Sequence, residues 1–137
     1  MKRLILAAGL FAATLTASLH AQTMNMQASI PFEFRIGSTV LPSGEYSIRH
    51  SGGLLFVKQT GGDHKGGIFM TVGEDRPAGS KAASTLLFNR YGSTYFLSKV
   101  WSAEINEARA TPKSPREKEL ARHIGQPGTA TVALQTK

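Results

Sequence analysis

The possible fold of this chain is limited most strongly by one repeated feature. Apolar and polar residues alternate in short segments, and glycine or proline follows most of the segments. In residues 28–36 every second side chain is apolar: Ile30, Phe32, Phe34 and Ile36. This period of two predicts a strand with one buried face. Pro31 has no backbone N–H, so we expect the strand to lie at a sheet edge or to begin at the proline.

Further segments of the same kind follow along the chain. They lie at residues 45–50, 54–59, 66–72, 84–90 and 94–101. Turn residues such as Pro42-Ser43-Gly44 separate them. Short strands at intervals of about 8–12 residues are typical of antiparallel folds rather than of alternating strands and helices. The sequence therefore predicts a mainly β fold, a small antiparallel β-sandwich or β-barrel of about six to eight strands.

One short C-terminal helix is expected after the strands, because Ser114-Pro115-Arg116-Glu117 has the form of a capping box. In this motif the serine and glutamate side chains each satisfy a backbone N–H of the other residue, and proline suits the first helical position. The predicted helix covers residues 115–123 and ends at Gly125. A helix this short is stable only when packed, and the last two predicted strands, apolar on both faces, offer a surface for it.

The N-terminal residues 1–21 have the pattern of a secretory signal peptide. Lys2-Arg3 precedes an uncharged apolar run at residues 4–19, and Ala21 is the expected cleavage position. The run is shorter than the roughly 20 residues that span a bilayer, so we expect no transmembrane span after cleavage. The sequence thus predicts an exported protein, either periplasmic or extracellular.

The rest of the chain is long enough for one domain. We expect a flexible N-terminus at residues 22–27, a β domain with its terminal helix at residues 28–124, and a disordered tail at residues 125–137.

Composition narrows the chemistry of this domain. Two of the sixteen basic residues lie in the predicted signal, which leaves 14 basic and nine acidic residues and a net charge of +5. Such a charge is typical of a solvated surface, and it also attracts anionic lipid, lipopolysaccharide or acidic glycans. The chain has no cysteine, which excludes disulfides, thiol catalysis and cysteine-bound zinc.

No motif in the sequence predicts an enzyme, a metal site or a cofactor. His50, His64 and His123 are far apart and lack the spacing of metal ligands. The glycine-rich residues 61–67 lack the Gly-Lys-Ser/Thr ending of a phosphate-binding loop, and no serine stands in a Gly-x-Ser-x-Gly motif. A hydrolase that uses His50 or His64 is the least favoured alternative.

Aromatic side chains are the candidate ligand-binding residues. They are Tyr46, Tyr91, Tyr95 and Trp101, which a sugar or peptide could stack on if they are exposed. The alternative is that they belong to the core, for which the alternation predicts Phe32, Phe34, Ile48, Phe56, Phe88, Phe96 and Trp101. Nucleic-acid binding needs basic residues interleaved with exposed aromatics on one sheet face. The chain approaches this only around Arg90, so no nucleic-acid partner is expected.

Several strings together resemble a family of short exported β-rich proteins of Gram-negative soil bacteria. They are Ile30-Pro-Phe-Glu-Phe34, Leu41-Pro-Ser-Gly-Glu-Tyr46, Phe88-Asn-Arg-Tyr-Gly92, Tyr95-Phe-Leu97, Val100-Trp101, Pro112-Lys-Ser114 and Glu119-Leu-Ala-Arg122. The resemblance covers about residues 28–123 and implies a β domain with a terminal helix. It implies no activity, because none is established for the family. This chain departs from the family at residues 103–110, where a glycine-containing turn is expected.

The sequence favours a non-catalytic exported β domain with a binding or structural role at the cell envelope. Its expected partner is an envelope component, a glycan or a protein. The alternative is a module that binds a glycan or a small apolar ligand through the aromatic side chains.

Overall fold

The computed structural model describes residues 24–74, 83–103 and 107–136. The predicted signal peptide at residues 1–21 lies outside the described residues. So do residues 75–82, between two of the predicted strands, and residues 104–106, at the centre of the segment at residues 103–110.

Strands dominate the part of the chain that is described. They are β1 (Met24–Ile30), β2 (Phe34–Ile36), β3 (Thr39–Leu41), β4 (Gly44–Ser51), β5 (Leu54–Gln59), β6 (Gly66–Met70), β7 (Val72–Glu74), β8 (Thr85–Tyr91), β9 (Thr94–Ser102), β10 (Glu107–Ala110), β11 (Gly128–Ala133) and β12 (Gln135–Thr136). The helix α1 (Pro115–Ile124) precedes the last two. The mainly β fold with one short C-terminal helix is confirmed.

Two sheets make up the fold within the described residues. The five-stranded sheet has the order β12-β1-β4-β5-β6. The seven-stranded sheet has the order β11-β8-β9-β10-β7, and β2 joins it by pairing with both β9 and β3. Every pairing is antiparallel except that of β2 with β9. Both orders have two ends, so the sheets form a sandwich and do not close into a barrel.

The strands outnumber the six to eight expected for two reasons. The strands β3, β10, β11 and β12 lie outside the predicted segments, and the chain changes sheet within two segments that each look like one strand. The segment at residues 28–36 leaves the five-stranded sheet after Ile30 and enters the seven-stranded sheet at Phe34. Pro31 stands at this break, where its missing N–H costs no ladder hydrogen bond. The segment at residues 66–72 divides in the same way, between β6 and β7.

Two predictions about the chain ends were wrong. A flexible N-terminus was expected at residues 22–27, but residues 24–27 belong to β1, which pairs along its whole length with β4. The expected disordered tail instead supplies β11, which pairs with β8, and β12, which pairs with β1. These pairings satisfy backbone groups that would otherwise be left at the edges of β8 and β1.

The main hydrophobic core lies between the two sheets. Its largest fully buried members include Met26, Ile30, Phe34, Tyr46, Ile48, Leu55, Leu86 and Phe88. Phe32 is only partly buried but packs against this cluster. The prediction was wrong for Phe56 and Trp101, which are half-buried outside the cluster. Phe96 is buried, but it belongs to the other face of the seven-stranded sheet, edge-on to Tyr91.

The helix α1 lies against that other face of the seven-stranded sheet. It begins as the sequence predicts: Ser114 is the N-cap, and its Oγ accepts a hydrogen bond from the backbone N–H of Glu117 at 3.1 Å. Glu117 is buried, and its carboxylate contacts β8 through Asn89 and Tyr91. The helix therefore supplies the second layer that the two-sided apolar strands require.

Candidate functional site

The outer face of the five-stranded sheet carries the candidate site, and the strand alternation decides which side chains reach it. On β4, Tyr46 and Ile48 point into the core, so Ser47 and Arg49 point outward. On β5, Leu55 and Val57 are buried, so Phe56 and Lys58 point outward.

The register of the sheet aligns four of these outward side chains in one row across four strands. Asn25 pairs with Arg49, Arg49 with Phe56, and Phe56 with Ile68. Residues directly opposite each other in antiparallel strands have Cβ atoms about 4.5–5.5 Å apart. The row therefore places an amide, a guanidinium, an aromatic ring and an aliphatic side chain next to one another.

A second row of outward side chains runs parallel to the first, two residues away from it on each strand. Ser47 pairs with Lys58, and Lys58 pairs with Gly66. Lys58 is exposed and lies diagonally across from Arg49, at about 7–8 Å for such a pair. The two rows thus combine one aromatic ring with two cations.

Arg49 and Phe56 are in direct contact. The guanidinium carbon of Arg49 lies 4.5 Å from the centre of the Phe56 ring and above its face. A cation in this position is attracted by the electron-rich face of the ring, by about 0.5–1 kcal/mol at an exposed site. The contact restricts where the guanidinium can lie while leaving it accessible, since Arg49 is exposed.

These side chains line an open groove, called here the Arg49 groove. It has a volume of about 490 Å³ and is lined by Asn25, Ser47, Arg49, Phe56, Val57, Lys58, His64, Gly66, Gly67 and Ile68. Gly66 is required by the backbone, because a Cβ there would lie 2.1 Å from the carbonyl oxygen of Val57. The missing side chain also leaves the groove open beside Lys58.

The two cations of the groove, Arg49 and Lys58, form no ion pair with a carboxylate among the described residues. Two ion pairs elsewhere in the described residues join Lys99 to Glu74 at 2.7 Å and Arg116 to Glu119 at 3.3 Å, and neither includes Arg49 or Lys58. On the same face, the nearest acidic residue along β4 is Glu45, which pairs with Ser29 one row beyond Ser47. The groove is therefore basic at its Arg49 end.

Two of the four aromatic residues predicted to bind a ligand are buried, so that prediction was wrong for them. Tyr46 lies in the core between the sheets and donates a hydrogen bond to the carbonyl oxygen of Pro42 at 2.5 Å. Tyr91 is buried beneath α1 and donates to Glu117. Burial raises the pKa of Tyr46, and burial together with Glu117 raises that of Tyr91 to about 12.

The other two aromatic residues are half-buried on β9, away from the Arg49 groove. Tyr95 stacks on Phe32, with ring centres 3.9 Å apart and planes at 13°, so its face is covered by the protein itself. Trp101 lies between Thr85 and Ala108 of the neighbouring strands. The four predicted residues are thus divided between two sheets and form no common platform.

Sequence alternation missed Phe56 and Arg49 for a definable reason. The segment Leu54-Leu55-Phe56-Val57 is apolar at its odd and its even positions, so its pattern does not indicate which face of the strand is buried. The neighbouring strand carried a signal for the outward face, because Arg49 alternates there with apolar residues. The hairpin at Gly52-Gly53 sets the register that places Arg49 opposite Phe56.

The histidines are not brought together. His50 lies on β4, His64 in the loop before β6, and His123 on α1. Within residues 24–74, 83–103 and 107–136, no three histidine or acidic residues are grouped as metal ligands would be. In the same residues, no helix combines the length and the apolar character needed to cross a membrane.

Comparison of the chain with known protein families, with curated proteins and with solved structures finds no match. The resemblance to exported proteins of Gram-negative soil bacteria stays a prediction. Function therefore has to be inferred from the side chains of the Arg49 groove.

Proposed function

We propose that the protein is an exported, non-catalytic domain that binds a glycan of the cell envelope in the Arg49 groove. The observation that carries this proposal is the cross-strand row in which Arg49 lies over the ring of Phe56 beside Ile68. A half-buried aromatic ring and an exposed aliphatic side chain next to hydrogen-bonding groups suit a sugar, because a sugar ring has apolar C–H faces and a polar hydroxyl rim.

The polar residues of the groove favour a glycan over a small apolar ligand. Asn25 and Ser47 offer an amide and a hydroxyl, and Lys58 offers an ammonium group, on the same face as Phe56. A purely apolar ligand would desolvate these groups without replacing their hydrogen bonds to water, which costs free energy. A glycan replaces those bonds with its own hydroxyl groups.

A hydrolase remains the less favoured alternative. It would have to use His64, which lines the groove, but the contact of its Nδ1 in the described residues is with the carbonyl oxygen of Gln59, at 3.4 Å, and not with a nucleophile. Replacing both His50 and His64 with alanine tests this directly. Loss of a hydrolytic activity in that variant would support the enzyme and contradict our proposal.

Export is part of the proposal and is supported by Lys2-Arg3 and the uncharged run that follows it. Fractionation of cells that produce the full chain, followed by N-terminal sequencing, tests it. We expect the protein outside the cytoplasm with a first residue near Gln22. Recovery of cytoplasmic protein that still begins at Met1 would contradict export.

Binding is tested with immobilised envelope polysaccharides and the purified protein. We expect retention that is lost in Phe56→Ala and kept in Val40→Ala, because Val40 is an exposed apolar residue on β3, outside the Arg49 groove. Circular dichroism should show that both variants are folded. Equal retention of Phe56→Ala and the parent would exclude the groove as the binding site.

A further inference from the structure

We propose that the glycan bound in the Arg49 groove is acidic, and that Arg49 binds the oxyanion of one of its sugar residues. The inference rests on the proposed function and names the ligand class of the same site. The shared chemistry is a carboxylate or phosphate group attached to a sugar.

The position of Arg49 is the first reason. The guanidinium carbon of Arg49 lies over the Phe56 ring, 4.5 Å from its centre, so the cation already has a contact within the protein, while its N–H donors belong to an exposed side chain. A guanidinium presents these donors as a planar fork, which fits the two oxygens of a carboxylate or phosphate. The ring therefore holds the fork at the surface before the ligand arrives, which reduces the entropy lost on binding.

The charge around Arg49 is the second reason. Lys58 lies on the same face, diagonally across from Arg49, and neither side chain has an ion-pair partner among the described residues. A neutral sugar gains only hydrogen bonds from these two cations, whereas an anion is also attracted by the charge of both. The charges are therefore better matched by an acidic sugar residue than by a neutral one.

The remaining lining indicates how the ligand lies. Gly66 leaves space beside Lys58, and Asn25 and Ser47 offer hydrogen bonds to sugar hydroxyls. Glu45 lies further along the same face and would repel an anion placed there. The acidic group is thus expected at the Arg49 end, and the neutral part of the ligand toward Ser47.

Isothermal titration calorimetry with three defined probes tests the proposal: polygalacturonate, the same polymer fully methyl-esterified, and a phosphomannan. We expect polygalacturonate to bind and its methyl ester to bind at least about tenfold more weakly, since hydrogen bonds to charged groups are worth about that much or more. Added salt should weaken the binding of the acid more than that of the ester. Binding of phosphomannan alone would support the oxyanion site and identify phosphate as its ligand.

Two arginine variants provide the matched comparison. Arg49→Gln removes the proposed ligand-binding group, and Arg90→Gln removes an arginine that lies 5.7 Å from the Tyr95 ring on the other sheet. We expect at least about a tenfold loss of affinity for polygalacturonate in Arg49→Gln and no change in Arg90→Gln. Both arginines are exposed and each contacts one aromatic ring, so both variants should stay folded and melt at similar temperatures, slightly below that of the parent.

The outcomes separate this inference from the proposed function. Equal affinity for the acid and its ester, or an Arg49→Gln variant that binds like the parent, would overturn the acidic ligand and leave glycan binding in place. Binding of none of these probes or of the envelope polysaccharides would overturn the proposed function itself.

Discussion

Tyr91 on β8 donates its phenolic hydrogen to Oε2 of Glu117 on α1, at 3.0 Å, and both side chains are buried. The same oxygen accepts a second hydrogen bond from Nδ2 of Asn89 at 3.1 Å. The backbone N–H of Glu117 is bound by Ser114 at the helix N-cap. Glu117 therefore connects the start of the helix to the sheet, and a buried carboxylate is tolerated there because it accepts these hydrogen bonds.

Removing the Tyr91 hydroxyl should destabilise the protein measurably. In Tyr91→Phe the buried carboxylate of Glu117 loses one of its donors, and we expect a loss of about 1–3 kcal/mol in the free energy of unfolding. Urea denaturation followed by circular dichroism measures it. Glu119→Ala is the control on the same helix, since its pair with Arg116 is exposed and worth about 1 kcal/mol or less. Equal midpoints for Tyr91→Phe and the parent would show that this hydrogen bond does not stabilise the fold.

The same contact predicts a loss of stability at alkaline pH. Burial first, and then the hydrogen bond and charge of Glu117, raise the pKa of Tyr91 from 10.0 to about 12 in the folded protein. The folded state thus holds the phenolic proton more tightly than the unfolded state. This stabilisation is complete below pH 10 and is lost as the pH rises from 10 through about 12.

Stability measured against pH in the parent and in Tyr91→Phe isolates this contribution. Between pH 10 and 12 we expect the free energy of unfolding to fall more steeply in the parent than in the variant. Tyr46, whose pKa is also raised, is present in both proteins and cancels in the comparison. Parallel curves would mean that Tyr91 ionises equally in the folded and unfolded states.

The helix start was predictable because its signal is local. Ser114 and Pro115 fix the first turn by hydrogen bonding and backbone geometry that involve only their neighbours in sequence. The other half of the predicted capping box, in which the Glu117 side chain accepts from the backbone N–H of Ser114, was wrong. The Glu117 carboxylate hydrogen-bonds to β8, a contact that depends on how the helix packs on the sheet.

The binding surface was less predictable than the fold, because strand pairing creates it. Arg49 and Phe56 are neighbours only in the register of β4 and β5. The tail was missed because Ala130, Val132 and Leu134 give a weak alternation in which the first member is small. A strand of this kind is stabilised by the edge it pairs with, which no local pattern records.

The core prediction concerns Phe34, at the point where the chain enters the seven-stranded sheet. Its ring is buried and meets the rings of Tyr46 and Phe88 edge-on, at 5.2 and 5.5 Å between centres. Phe34→Ala should lower the free energy of unfolding by about 3–5 kcal/mol, through lost burial and the cavity left behind. Ile68→Ala, at an exposed position, should change it by about 0.5 kcal/mol or less. Thermal melts that place both variants with the parent would contradict the assignment of this strand face.

Gly66, the first residue of β6, and Gly61, in the loop before it, allow a matched test of the strand pairing beside the Arg49 groove. Gly66→Ala would place a Cβ 2.1 Å from the Val57 carbonyl oxygen, so the pairing of β5 with β6 must shift, at a cost of about 1–3 kcal/mol. Gly61→Ala meets no atom within 4 Å and should be neutral or slightly stabilising. Chemical denaturation compares the two variants. A Gly66→Ala variant as stable as Gly61→Ala would rule out the close approach of these strands.

The C-terminal strands should be essential to the fold. Leu134 joins β11 of one sheet to β12 of the other. Its side chain is 8% exposed and belongs to the core, and its backbone N–H donates to the carbonyl oxygen of Ser84. Leu134→Ala should lower the free energy of unfolding by about 2–5 kcal/mol.

Deletion of residues 128–137 should abolish cooperative unfolding, because β8 and β1 would each present an unpaired edge. Gln135→Ala, at an exposed position, is the control. Thermal melting of the three variants measures these effects. A deletion variant that melts cooperatively at the temperature of the parent would show that this segment is a tail that the fold does not need.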